Sequence, residues 1–344
     1  MSASSELRRD PAGGNWVIIA PDRANRPDEF RPRAVRPAGG SAASCPFCPG
    51  REARTPPEVA AVRPPSSPPD GPGWRVRVVP NKFPALSRAG GHPEMRTGGL
   101  FQGLDGVGVH EVVIETPDHA ADFSSLSPGA AGEVVRTWRD RLRALAAEPS
   151  CAYVQLFKNY GRAAGASLSH LHSQVVALPV VPGRIREEIG LAARFHAANG
   201  ACLHCRVIAE ETALAKRVIL RDADFIATAP YASRFPYEIH IHPLRHAARF
   251  TSAEDGETGA LAALLRVVLG RLRRALDDPP FNLLLHQSPP VRKAGLSAGD
   301  ESPAYHWHIE ILPVLTRVAG FEWGTDIHIN PIPPEAAAER LAGI

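Results

Sequence analysis

His170-Leu-His172-Ser-Gln174 opens a segment, HLHSQVVALPV (170–180), whose apolar alternation predicts a β-strand. Successive side chains of a strand take opposite faces, so His170, His172 and Gln174 project to one side while Leu171 and Ser173 face the other. Three polar groups on one face do not make a core. Just upstream, Asn159-Tyr-Gly161-Arg-Ala-Ala-Gly165-Ala-Ser167 is a glycine-containing loop of the kind whose backbone N–H groups cradle phosphate. A lone histidine pair is more often a structural or metal site than a nucleophile, but its place beside a phosphate-type loop points to a catalytic role. Two Cys-x-x-Cys pairs, Cys45/Cys48 and Cys202/Cys205, add a second chemistry. A thioredoxin-like pair would open a helix after a strand; Cys45-Pro-Phe-Cys48-Pro-Gly sits in a turn, and the spacing is that of zinc ligands. Cys151 has no partner in sequence and reads as a buried thiol.

The elements that must hold these residues are regular from about residue 106 onward. VHEVVIE (109–115) predicts a strand, and Ser127-Pro128-Gly129 opens a helix to about Ala147 with Val134, Trp138, Leu142 and Leu145 along one stripe. AYVQLFKN (152–159) is a further strand. Residues 20–100 are loop-rich, with proline clusters such as RPPSSPPDGPGW (63–74) and a short strand at Trp74–Val79. The order then recurs: VHEVVIETPDHAADF (109–123) aligns without a gap to PYEIHIHPLRHAARF (236–250), setting His119 against His246. A helix over Ala253–Leu276 and strands at 281–288 and 304–314 follow, with His306 answering His170. The expectation is an α+β protein of two tandem halves, 1–182 and 183–344, each a mostly antiparallel sheet carrying a long helix.

Composition sets the outer bounds. The 344 residues allow one large domain or two, and hydrophobic residues at 44% with charged residues at 22% match a soluble mixture. No run is apolar for long enough to span a bilayer, and the start, MSASSELRRDPAGG, has no apolar core of a signal peptide, so a cytoplasmic protein without a membrane partner is expected. The net charge is +3 and the basic residues are scattered, which argues against nucleic acid as a partner.

Taken together, Arg23-Ala-Asn-Arg26-Pro, Cys45-Pro-Phe-Cys48, Asn81-Lys-Phe-Pro-Ala-Leu86, Thr116-Pro-Asp-His119, Phe157-Lys-Asn159, Gly165-Ala-Ser167, His170-x-His172-x-Gln174 and Gly320-Phe-Glu322 resemble the galactose-1-phosphate uridylyltransferase family of the histidine-triad superfamily, and particularly its ADP-glucose phosphorylase-like members. The resemblance covers nearly the whole chain. It implies that His172 is the nucleophile, attacking the α-phosphorus of a nucleotide-sugar to give a nucleotidyl-histidine in a ping-pong reaction. Gln174 would donate hydrogen bonds to phosphoryl oxygens where hydrolytic relatives carry a third histidine, favouring transfer over hydrolysis. Arg23, Arg26, Asn81, Asn159, Gly165 and Ser167 would contact nucleotide and phosphate, and Glu322 the hexose.

The same resemblance assigns Cys45, Cys48, His119 and His170 to one zinc ion. Cys202, Cys205, His246 and His306 are assigned to a second, with iron held by His286, His306 and His308 as the alternative there. His240, His242 and His328 are expected to be ordinary surface or sheet residues. The second half keeps His306-Trp-His308-Ile-Glu310 but lacks the glycine loop and places a carboxylate where the first has Gln174, so it is expected to be catalytically silent, and a homodimer is possible. The leading expectation is exchange of hexose-1-phosphate on a UDP-sugar. Phosphorolysis of ADP-glucose is the main rival; a histidine-triad hydrolase and a zinc-ribbon nucleic-acid module are less favoured.

Overall fold

The computed structural model describes residues 4–25, 42–88, 93–290 and 302–344. In chain order the strands are β1 (Glu6–Arg9), β2 (Trp16–Ile19), β3 (Ala60–Val62), β4 (Val76–Pro80), β5 (Met95–Gly98), β6 (Phe101–Leu104), β7 (Val109–Ile114), β8 (Tyr153–Tyr160), β9 (His172–Leu178), β10 (Val218–Arg221), β11 (Phe225–Thr228), β12 (Ile239–Pro243), β13 (Phe281–His286), β14 (His308–Pro313) and β15 (His328–Asn330). The helices are α1 (Pro128–Ala146), α2 (Gly183–Asn199), α3 (Leu203–Leu214), α4 (Asp255–Leu276), α5 (Gly320–Thr325) and α6 (Pro334–Ala342). Among the described residues no helix is long and apolar enough to cross a membrane.

A ten-stranded antiparallel sheet, ordered β10-β11-β12-β14-β13-β8-β9-β7-β4-β3, forms the frame. Its order reads alike from the centre outward: β8-β9-β7-β4-β3 on one side, β13-β14-β12-β11-β10 on the other. Each side also runs strand, single 3-10 turn, long helix, strand, strand along the chain. The halves meet where β8 pairs with β13, which sets Asn159 opposite Asn282. β1 instead pairs with β2 and β2 with β15, so residues near the start are tied to residues near the end.

Helices α1 and α4 cover one face. Ser127 caps α1 by accepting from the Ala130 N–H, with Pro128 in the first turn where its missing N–H costs nothing. Val134, Val135, Trp138, Leu142 and Leu145 of α1 and Leu261, Leu265, Val268 and Leu272 of α4 are buried against Val113, Val154, Leu156, Val175, Ile239, Leu283, Leu285, Ile309 and Ile311 of the sheet. The Trp138 indole donates to Ser173 Oγ at 2.7 Å, fixing which face of β9 meets the helix. By alternation His172 and Gln174 take the opposite face.

Candidate active site and metal centres

His172 begins β9 and is 7% exposed. Its Nδ1 lies 2.7 Å from the His170 carbonyl oxygen, to which it donates, so Nε2 carries the lone pair. Burial pushes this imidazole down to about 4; the bond to the His170 carbonyl works the other way, and the Lys158 ammonium adds to the drop. The ring is therefore neutral near pH 7. Phe47, from between the first two cysteines, packs edge-on against it with centroids 5.5 Å apart. Behind it, Lys158 Nζ donates to the His172 carbonyl at 3.0 Å and pairs with Glu115 at 2.7 Å, both side chains fully buried. Desolvation holds Lys158 below the ordinary lysine value, and Glu115 opposes that.

A cavity of about 250 Å³ opens beside His172, lined among others by His119, Asn159, Gly161, His170 and Lys158. Gly161 (φ +80°) and Gly165 (φ +90°) shape the loop at its edge, and a Cβ on Gly161 would lie 2.9 Å from Pro280 Cβ. Asn282 of the second half reaches across the seam: its Nδ2 donates to Asn159 Oδ1 at 2.9 Å and to the Ala164 carbonyl at 2.8 Å. Gln174 Oε1 accepts from His110 Nε2 at 2.8 Å and from Asn81 Nδ2 at 3.3 Å.

Cys45, Cys48, His119 and His170 converge, their candidate ligand atoms all within 4.8 Å of one another. His170 Nδ1 is 3.6 Å from Cys45 Sγ and 3.7 Å from Cys48 Sγ, and His119 Nδ1 is 3.4 Å from Cys48 Sγ. Tetrahedral zinc with its usual bond lengths separates sulfur from nitrogen by about 3.6 Å, so the group fits. His170 Nε2 donates to the Thr116 carbonyl at 2.7 Å, which leaves Nδ1 facing the two cysteines as a ligand nitrogen would. Cys202, Cys205, His246 and His306 repeat the arrangement: Cys205 Sγ lies 3.4 Å from both His246 Nδ1 and His306 Nδ1, and His306 Nε2 meets the Pro243 carbonyl at 3.0 Å. The two histidine rings stand nearly perpendicular in both groups, at 84° and 89°.

Several sequence expectations change. The strand does not begin at His170: β9 starts at His172, because His170 turns away to the cysteines and is held by Thr116. His306 joins the cysteines, which separates it from His286 and His308 as one iron-binding set. His240 and His242 are sheet residues of β12, one of the two places expected for them, with His242 buried and His240 half-buried. With His204, Glu188, Glu238, His286, His308 and Glu310 they lie in a buried polar cluster, threaded by Arg234 and by Arg184 from the edge, where α2 packs over the second half. Rings of His204 and His242 there stack on His308 at 27° and 25° instead of meeting edge-on, and the arginines already partner the carboxylates.

Of the remaining expected residues, Asn159 lines the cavity, Gly165 and Ser167 follow in its loop with Ser167 exposed, and Asn81 bonds Gln174. Arg23 is exposed on the 3-10 turn after β2, and Glu322 accepts from the Ala319 N–H at the start of α5; neither lines the cavity. Arg26 lies outside the described residues. Sequence reasoning missed Phe47, His110, Lys158 with Glu115, and Asn282. His110 and Asn282 carried a signal: each is a polar residue at a face-sharing position of an apolar strand.

An antiparallel sheet that presents a neutral, buried histidine beside a glycine loop, with a Cys/His group behind it, has the make-up of a site for group transfer at phosphorus. A family model for the N-terminal domain of galactose-1-phosphate uridyl transferase matches residues 1–182, and one for a domain of unknown function (DUF4921) matches 107–343. An ADP-glucose phosphorylase of Arabidopsis thaliana is 37% identical over 98% of this chain and 92% of its own length. A galactose-1-phosphate uridylyltransferase of Thermotoga maritima is 30% identical over 98% of this chain and 97% of its own. The crystal structure of an Arabidopsis thaliana ADP-glucose phosphorylase with bound ADP-glucose superposes with a TM-score of 0.82 at 35% identity, covering 99% of each chain. The chain belongs to the galactose-1-phosphate uridyl transferase family and is a nucleotidyltransferase.

Proposed function

We propose that the chain moves a nucleotidyl group from a nucleotide-sugar to an anionic phosphate acceptor through a covalent intermediate on His172. The observation that carries this is the ring itself: Nδ1 is committed to the His170 carbonyl, and the imidazole is neutral and buried beside the cavity, with no partner on the Nε2 lone pair among the described residues. Nε2 attacks the α-phosphorus in line, forming a P–N bond as the bond to the sugar-phosphate oxygen breaks and that oxygen leaves as an anion. The acceptor oxygen then attacks the same phosphorus and returns the electron pair to Nε2. Leaving group and acceptor are both already anionic, so neither step needs a proton. Gln174 supports this chemistry by offering amide N–H donors to the phosphoryl oxygens. Asn159 and the 161–165 loop would hold the neighbouring phosphate.

Zinc in both Cys/His groups is part of the reading, since paired thiolates favour zinc over iron in the second as in the first. Bound through His170, the first ion would hold in place the residue whose carbonyl orients His172. The chemistry is assigned to residues 1–182, because in 183–344 the place corresponding to His172 is taken by His308 in the charged cluster under α2.

For the donor, an adenine nucleotide-sugar with phosphate as acceptor is favoured over the leading sequence expectation of UDP-hexose exchange. The support is the intact second Cys/His group, which the resemblance associates with ADP-glucose phosphorylases, together with the 37% identity to such an enzyme. Incubation with ADP-glucose and UDP-glucose, each labelled in the α-phosphate, tests both statements. Label should stay with the protein from ADP-glucose and be discharged by phosphate. Retention from UDP-glucose alone, discharged by galactose-1-phosphate, would restore the uridylyl reading, and retention from neither would end the covalent one.

A further inference from the structure

His110 stands on β7 opposite Val176 of β9, on the face shared with His172 and Gln174 and diagonal to Gln174. The backbone N–H of Ala85 points at His110 Nδ1 at 3.2 Å. A backbone amide can only donate, so Nδ1 must be the lone-pair nitrogen and the ring proton must sit on Nε2. That proton faces Gln174 Oε1 at 2.8 Å. Asn81 is fixed in the same way: its Oδ1 accepts from the Phe83 N–H at 2.9 Å, which turns Nδ2 between Gln174 Oε1 at 3.3 Å and His110 Nε2 at 3.2 Å, and with the ring proton on Nε2 only Gln174 can accept from it.

We propose that His110, held in its Nε2–H tautomer by the backbone of Ala85 and assisted by Asn81, is a positioning residue that locks the side-chain amide of Gln174 with its oxygen turned away from the reacting phosphate and both N–H donors turned toward it. The inference rests on the reading of Gln174 as a phosphoryl contact. An amide has two ends of nearly equal size, and the wrong one would present a carbonyl oxygen to a phosphate. Two donors converging on Oε1 remove that choice, and Gln174 Nε2 has no acceptor among the described residues, leaving it available for substrate. His110 touches no substrate atom in this account.

Two measurements separate the inference from the reading beneath it. Long-range 1H–15N spectra of protein labelled at histidine nitrogens read the tautomer without any reaction: Nε2–H at His110 is expected, and Nδ1–H would overturn the proposal even if His172 is the nucleophile. The second is single-turnover labelling from ADP-glucose and UDP-glucose. His110→Leu should slow formation of the labelled protein about tenfold, as loss of one well-placed hydrogen bond does, with little change in the donor concentration giving half-saturation. His110→Gln, whose amide can donate from the Nε2 position, should recover most of that loss. In a Gln174→Ala background, His110→Leu should have almost no further effect. An unchanged tenfold loss in that background would overturn the proposal and leave His110 a structural residue. Failure of wild-type protein to retain label would instead count against the covalent reading, with the tautomer still deciding how Gln174 is held.

Discussion

Lys158→Met tests how the first half holds its reactive strand. Lys158 Nζ pairs with Glu115 at 2.7 Å and bonds the His172 carbonyl at 3.0 Å, with side-chain exposures of 1% and 0% for Lys158 and Glu115. Methionine fills nearly the same volume but leaves the Glu115 carboxylate buried without its cation, and breaking a buried pair in this way costs about 3–5 kcal/mol. At about 2.1 cal/mol/K per residue, 344 residues give an unfolding entropy of about 0.7 kcal/mol/K, so Tm should drop by ~4–7 °C. Differential scanning calorimetry of the metal-loaded protein measures this directly. Adding Glu115→Leu should recover more than half of the loss, since removing both partners of a buried pair is often neutral. A single variant within about 1 kcal/mol of wild type, or a double variant no better than the single, would refute the reasoning that this pair is an uncompensated charge waiting to be exposed.

Metal content should be two zinc ions per chain, falling to one in Cys48→Ser and likewise in Cys205→Ser, as read by elemental analysis; an unchanged ratio in either variant would remove that group as a metal centre. Asn282→Ala deletes the two hydrogen bonds that tie the second half to Asn159 and Ala164. Its KM for the nucleotide-sugar should rise about tenfold with kcat less affected, and an unaltered KM would mean that the seam does not shape the phosphate loop. Gln174→Glu keeps an acceptor for His110 but sets an anion against the phosphate, so single-turnover labelling should slow about a hundredfold or more; labelling at the wild-type rate would show that Gln174 does not face the phosphoryl group.

The parts of the molecule legible in the sequence were those written as periodic or paired signals. The Ser127 cap and the Val134–Trp138–Leu142–Leu145 stripe give α1 within a residue of its ends, and the two Cys-x-x-Cys spacings mark where two Cys/His groups come together. Helix α2 left a weaker trace, because Gly183–Asn199 mixes charged residues through its apolar positions. One of those charges is not solvated: Glu188 is buried against His286 at 3.2 Å and Tyr305 at 3.0 Å, while Arg184, Arg186, Glu187 and Arg194 stay exposed, so the inward carboxylate is hidden among ordinary surface charges. His240 and His242 are sheet residues as expected, and only their inclusion in a buried polar cluster was hidden, since burial of a lone histidine depends on what packs over it. Phe47 and Lys158 sit inside short motifs as apparent fillers, and only the folded chain shows the one packing on His172 and the other holding its carbonyl.

Mass spectrometry of peptides from protein quenched after incubation with nucleotide-sugar, in the absence of acceptor, tests the central claim most directly. The account predicts a nucleotidyl group on the peptide containing His172, attached through an acid-labile, base-stable phosphorus–nitrogen bond, lost on addition of phosphate or a sugar phosphate and absent in His172→Ala. Modification of His308 or of a serine instead, or turnover of the nucleotide-sugar by a His172→Ala protein at the wild-type rate, would contradict it.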